Sequence, residues 1–204
     1  MALQLTPVAI MALALLREDD MHPYEMIRLL RYRRDDRMVP LTNGTFYHTI
    51  TRLQRAGYID EAGVDRDGNR PERKTYTLLP AGAEAVLGWL RSELPRIDRP
   101  IEFRVALAEA HNLERDEVIA LLRERSALLA AEYATHEEGL RAARDQEVPE
   151  QFLLEVERQR ELLQTESRWL EKTIDRLSDP HLPWGDGQMP PADTYRSQRE
   201  KARS

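Results

Sequence analysis

The chain has 204 residues, 41% of them apolar, enough for one or two domains with a sizeable core. It has no cysteine, which excludes a disulfide framework and thiolate chemistry. The formal net charge of −6 argues at first sight against a nucleic-acid partner, but residues 1–95 hold 13 basic and 13 acidic side chains, so the whole acidic surplus lies in the second half.

Thr6-Pro7 is a helix start, a hydroxyl N-cap followed by proline at the first helical position. The helix is expected to reach about Arg17. Its apolar run over 8–16 is shorter than a membrane span, has no basic residue before it and is followed by Glu18-Asp19-Asp20. It reads as a buried first helix and not as a signal peptide, so a cytoplasmic protein without a membrane partner is expected. His22-Pro23 opens a second helix over 24–34, with Tyr24, Met26, Ile27 and Leu30 inward. Residues 35–40 are a link. Thr42 caps a third helix over 43–56. A hairpin then pairs 58–64 with 73–79 around Asp67-Gly68, a pair suited to a turn that needs φ > 0. Pro80 opens a fourth helix ending near Leu94, with Ala83, Val86, Leu87 and Leu90 in one apolar stripe.

Residues 95–100, bounded by two prolines, are a joint. Only helices are expected after it. A short one covers 101–110. A long one runs from Glu114–Asp116 to about Arg144, with a stripe at Val118, Leu122, Leu129, Tyr133, His136 and Leu140. Val148-Pro149 breaks the pattern. The last helix, 150–177, carries Phe152, Val156, Leu163, Leu170, Ile174 and Leu177. Steps of three, four and seven residues make a seam like that of a coiled coil. Stripes this narrow need each other and imply a second subunit; the alternative is a monomeric helical hairpin packed on the first domain. Residues 179–204 have prolines, glycines and charges without periodicity and are expected to be largely disordered.

The fold class is therefore mainly α with a small β-hairpin. Residues 1–95 form a winged helix-turn-helix and residues 96–178 an all-helical dimerisation domain. At 100° per residue, Phe46, Ile50, Leu53 and Gly57 fall on one side of the third helix. Gly44, Thr45, His48, Thr51, Arg52 and Arg55 fall on the other, and Tyr47 lies on the flank. The first side packs inward; the second is shaped to enter a major groove. Gly44, near the helix start, lets a phosphate come close to backbone, where the helix N-terminus favours an anion. Residues 28–55 hold seven arginines (Arg28, Arg31, Arg33, Arg34, Arg37, Arg52 and Arg55) against Asp35 and Asp36. In the hairpin, Arg66, Arg70, Arg73 and Lys74 cluster near the tip, diluted by Asp65, Asp67 and Glu72, which suits backbone gripping more than base reading. Base-edge contact is thus expected of Thr45, His48, Thr51 and Arg52. Phosphate contact is expected of Asn43, Tyr47, Arg55, Arg70, Arg73 and Lys74.

An enzyme is not expected. The five histidines are scattered, with no metal-ligand spacing, and neither a glycine-rich phosphate loop nor a nucleophile elbow is present. No metal and no cofactor are implied.

Several motifs together resemble the PadR family of transcriptional regulators. They are Leu13-Ala14-Leu15-Leu16, His22-Pro23-Tyr24-Glu25-Met26, Gly44-Thr45-Phe46-Tyr47 with Arg52-Leu53, Gly57-Tyr58-Ile59, and Gly68, Arg70-Pro71, Arg73-Lys74 and Tyr76. The resemblance covers residues 3–95 closely and 101–178 in outline. It implies a ligand-responsive repressor that binds a palindromic operator in double-stranded DNA as a homodimer, with the C-terminal helices joining the subunits. It also implies a small aromatic effector near the dimer interface, where Trp169, Tyr133 and Trp89 are the large aromatics available; each of them equally suits plain packing. Three positions depart from the family's pattern. Pro23 stands where glycine is common, His48 where proline often follows the tyrosine, and Leu79 where threonine usually caps the helix that begins at Pro80. The alternative from another class is a winged-helix module that docks onto a protein and does not bind an operator directly.

Overall fold

The computed structural model describes residues 4–65, 73–185 and 192–203. Helix α1 (Pro7–Glu18) begins as its sequence dictates: Thr6 Oγ1 accepts from the Ala9 amide at 3.3 Å and Pro7 sits at the first helical position. Every residue from 8 to 16 is buried. A helix that is apolar all round must be enclosed on all sides. It is enclosed by α3 (Asn43–Arg55), α4 (Pro80–Glu93), α5 (Pro100–Ala108) and strand β2 (Arg73–Leu78).

Helix α2 (Pro23–Tyr32) ends earlier than the expected Arg34, because Arg34 takes a left-handed conformation (φ 63°) and a 3-10 turn, Asp35–Arg37, follows. Met26, Ile27, Leu29 and Leu30 face the core. Tyr24, expected inward, is 47% exposed, since those four residues define a face from which it points away; its ring lies 5.8 Å from the Arg28 guanidinium. Helix α3 ends in a Schellman motif. Gly57 has φ +73°, its amide donates to the Gln54 carbonyl, and the Tyr58 amide donates to the Leu53 carbonyl at 3.1 Å. Gly57 is therefore an exposed cap and not the packing residue that its helical angle suggested.

Strands β1 (Ile59–Asp65) and β2 are antiparallel, with a bulge at Ala62 where the register shifts between Glu61 and Gly63. Met21, in the α1–α2 loop, adds a bridge to β2: its amide and carbonyl exchange hydrogen bonds with those of Tyr76, both at 3.1 Å. The start of α4 lies against the base of the hairpin. A Cβ on Gly82 would stand 2.3 Å from the Tyr58 carbonyl oxygen and 2.8 Å from Leu78 Cδ1. Leu79, before this helix, makes no side-chain cap, as its departure from threonine implied.

Helices α6 (Arg115–Asp145) and α7 (Leu154–Leu177) form an antiparallel hairpin. Val118, Leu122, Leu129, Leu140, Leu163, Leu170 and Leu177 are buried along its seam as expected. Phe152 is not part of it: it lies in a 3-10 turn, Glu150–Phe152, and is 67% exposed, while Leu153 is buried in its stead. The gap between Leu122 and Leu129 is filled by Arg125, only 2% exposed. Its guanidinium lies 3.5 Å from the centre of the Phe103 ring, and its Nε donates to Glu166 at 2.9 Å. Arg144–Glu157 (2.9 Å) and Arg160–Glu137 (3.2 Å) link the same two helices nearer their other end.

The tail differs from expectation. Trp184 Nε1 donates to the Leu113 carbonyl at 2.9 Å, Arg115 donates to the Asp179 carbonyl at 2.9 Å, and residues 192–203 form helix α8 (Ala192–Arg203), packed on α2. Polar anchors and a few scattered apolar residues, Leu182, Trp184 and Ala202, hold this segment, so hydrophobic periodicity does not reveal it. Among the described residues no helix is long and apolar enough to cross a membrane.

Two measurements check this arrangement. Gly82→Ala should lower stability by about 2 kcal/mol or more, read from a urea melt, because the clash is with backbone and cannot be relieved by a rotamer. Glu109 lies between the two halves, and burial, aided by the nearby Glu18 carboxylate, pushes its carboxyl from 4.5 up to about 7. The folded state thus holds a proton that the unfolded chain releases. The associated stability is complete below about pH 4.5 and is lost as pH rises to about 7, on the order of 1–3 kcal/mol. Glu109→Gln should flatten that part of the stability–pH profile.

Candidate nucleic-acid interface

Helix α3 is held by its inner side. Phe46, Thr49, Ile50 and Leu53 are buried, and Thr49 satisfies its hydroxyl by donating to the Thr45 carbonyl at 2.9 Å. These residues leave the other side in solvent. Asn43, Gly44, Thr45, Tyr47, His48, Thr51 and Arg55 are exposed and Arg52 is half-buried. The structure thus brings together on one helix all eight α3 residues expected to meet DNA.

Their hydrogen-bonding capacity is unequal. Thr42 caps the helix by accepting from the Thr45 amide at 3.2 Å, and its hydroxyl donates to Thr45 Oγ1 at 2.9 Å, which leaves the Thr45 hydroxyl proton available. Thr51 donates to the Tyr47 carbonyl at 3.1 Å and can only accept from a partner. Asn43 Oδ1 accepts from Arg31 Nη2 at 3.1 Å, so its amide NH₂ points the remaining donors outward and Arg31 joins the surface. Arg52 and Arg55 make no hydrogen bond or ion pair with any described residue. On α3 they are the cations available to phosphate or to guanine. A Cβ on Gly44 would meet nothing within 4 Å, so packing does not require glycine there.

The hairpin is positioned beside α3 but is less basic than its sequence suggests. Lys74 Nζ is 2.7 Å from Glu61 Oε1, and Gln54 of α3 donates to the same oxygen at 3.1 Å. The Lys74 hydrogen bond, then that of Gln54, holds the Glu61 carboxyl below its usual range. Arg73 is the first residue of β2; Arg66 and Arg70, together with the Asp67-Gly68 turn, lie outside the described residues. Of the seven arginines counted over 28–55, Arg33 does not belong to this surface. It forms a two-pronged pair with Glu18 at 2.5 and 2.8 Å on the opposite flank of α2. Arg31, left without a stated role by the helical angles of α3, is the addition, since it reaches Asn43 from α2. Among the described residues no group of three or more His, Asp or Glu side chains could hold a metal ion.

Of the aromatics considered for an effector, Trp89 is buried and Trp169 is 42% exposed. Trp169 lines a cavity of about 240 Å³ with Trp184, Arg176 and Leu182; Trp184 was not foreseen, being in the aperiodic tail.

Comparison with known proteins bears on residues 12–87, which match the model of the "Transcriptional regulator PadR-like family". That segment runs from α1 through α3 and the hairpin into α4. No curated protein matches the chain. Among solved structures, the chain is similar to Bacillus subtilis PadR in complex with operator DNA, at 18% identity, 83% of this chain, 98% of that one and a TM-score of 0.40. It is similar also to smu.1604c from Streptococcus mutans UA159, at 18% identity, 84% and 99% coverage and a TM-score of 0.39. A third is Bacillus subtilis PadR in complex with p-coumaric acid, at 16% identity, 85% and 100% coverage and a TM-score of 0.36.

Because nothing surrounds the Gly44 Cα, Gly44→Ala should leave thermal stability unchanged or raise it by up to about 1 kcal/mol through helix propensity. A clear drop in melting temperature would show that glycine is required by the protein itself.

Proposed function

We propose that this chain, whose residues 12–87 match a family of transcriptional regulators, is a sequence-specific DNA-binding regulator acting in the cytoplasm as a homodimeric, ligand-responsive repressor. The observation that carries the reading is the exposed outer side of α3: a groove-sized helix presents Thr45, His48, Thr51, Arg52 and Arg55 together, with neither arginine paired to any described residue. Thr45, His48, Thr51 and Arg52 read base edges. Asn43, Tyr47 and Arg55 fix the backbone, joined by Arg31 from α2. The hairpin, through Arg66, Arg70, Arg73 and Lys74, grips the flanking phosphates. Lys74 reaches them only by leaving Glu61, so it contributes less than Arg55.

Dimerisation is supported by the back of the helical arm. Leu154, Leu162 and Trp169 on α7 and Leu128 on α6 are all exposed. Spacings of eight and seven along α7 place its three on one stripe, outside the buried seam of Leu163, Leu170 and Leu177. A second copy covering that stripe would set two reading heads about one DNA turn apart, ~34 Å or a simple multiple, and demand a palindromic operator. The small aromatic effector implied by the family resemblance would find the aromatic-lined cavity at Trp169 beside this stripe.

The direct test is a fluorescence-anisotropy titration with duplexes from the region upstream of the gene. Arg55→Ala should weaken binding to every duplex several-fold and reduce the slope of log K against log salt by about one. Gly44→Ala should weaken binding despite its intact stability, since the added methyl group would stand between backbone and phosphate. Absence of binding at low salt would favour the protein-docking alternative.

A further inference from the structure

The C-terminal helix makes a set of contacts that the DNA-binding reading does not use. Arg199 of α8 is enclosed by one short stretch of the head. Its Nε donates to Glu25 Oε1 at 2.6 Å, one Nη pairs with Asp19, and the other donates to the Asp20 carbonyl at 3.4 Å. One residue before it, Gln198 accepts from Arg33 Nε at 3.0 Å, while the remaining arms of Arg33 hold Glu18. Ala202, one turn on, is buried. The arginine and Glu25 are both largely shielded from solvent, with side-chain exposures of 16% and 12%. A charge-assisted, partly desolvated cluster of this kind is stronger than a surface pair.

Its placement is specific. Glu25, Leu29 and Arg33 lie on one flank of α2, whereas Arg28 and Arg31 lie on another, and Arg31 reaches Asn43 of the reading helix. The tail helix therefore leaves the proposed DNA surface uncovered. The residues that Arg199 holds, Asp19 and Asp20, directly precede Met21. Met21 is the residue whose amide and carbonyl bridge Tyr76 of β2. A continuous path thus runs from α8 through the α1–α2 loop to the second strand of the hairpin.

We propose that α8 is an intramolecular strap: by clamping the α1–α2 loop through Arg199 it holds the Met21–Tyr76 bridge closed and so keeps the hairpin at the angle at which it grips DNA. The clamp also sets one positive charge between the Asp19 and Glu25 carboxylates. The DNA consequence rests on the function proposed above; the mechanical link does not.

Two substitutions in the full-length chain separate the elements. Arg199→Ala removes the clamp directly, and Ala202→Arg wedges α8 from α2 and so parts Arg199 from Glu25 by a second route. Arg199→Lys retains a charge and should recover part of the effect. Amide hydrogen exchange at Met21 and Tyr76, read by NMR, should accelerate about tenfold in the first two variants, while the amides of α6 and α7 keep their protection. On a 30-base-pair duplex of random sequence in low salt, the same variants should bind several-fold more weakly, with the salt dependence otherwise retained. Unchanged exchange at Met21 and Tyr76 in both variants would overturn the strap. Exchange that rises equally across the whole chain would also overturn it, by showing a general loss of stability. Faster exchange with undiminished DNA affinity would overturn the coupling to DNA. Accelerated exchange in a chain whose unsubstituted form binds no duplex would establish the strap and refute the proposed function instead.

Discussion

A single helix with no surface of its own governs the architecture. From Val8 to Leu16, α1 has no side that tolerates water, so the chain must surround it. Helix α3, the hairpin, the fourth helix and the first helix of the second half all find their places against this post. Burying such a run removes enough apolar area to dominate the local energetics, at roughly 25 cal/mol per Å². The polar surfaces of these elements are then directed outward as a consequence.

The outer side of α3 follows from that constraint. Four inward residues, Phe46, Thr49, Ile50 and Leu53, meet the demand for packing, and the others are released from it. They can then be chosen for chemistry: a threonine that donates, a threonine that only accepts, a histidine, and two arginines whose side chains have no hydrogen-bond or ion-pair partner among the described residues. The hairpin beside it shows the opposite economy. Its lysine is already committed to Glu61, and Gln54 of α3 joins the same carboxylate, so hairpin and helix are tied together by the very charge that seemed free. Net charge over a segment therefore overstates its capacity for phosphate; only the uncommitted part counts.

The second half has its own fixed point in Arg125. A buried guanidinium costs several kcal/mol in desolvation unless it is paired. Here Phe103 of α5 covers its face and Glu166 of α7 takes its edge, so a charge in the seam joins three helices where a leucine would join two. Removing Glu166 would leave the guanidinium buried without a counter-charge. The tail is held in the same manner, by Trp184, Arg115 and Arg199, each a polar group reaching a specific acceptor.

The elements with strong periodicity, caps or turn signals were legible from residues alone: α1 from Thr6-Pro7 and its apolar run, α3 from Thr42 and its two-sided pattern, the two strands from the Asp67-Gly68 pair between them, and the α6–α7 seam from steps of three, four and seven. The α3 residues expected to face a partner do lie in solvent, because a helix with one buried side leaves no other option. Legibility failed where a side chain's role depends on something distant in the chain. Nothing local tells that Arg33 belongs to Glu18, that Arg125 is a core residue, or that residues 192–203 form a helix against α2. The sequence by itself determined which surfaces must be hidden, since hydrophobic burial is set by residue type and spacing. Only the tertiary structure decided which charges are spent and which remain available, since an ion pair exists only when folding brings two residues within hydrogen-bonding distance, however far apart they lie along the chain.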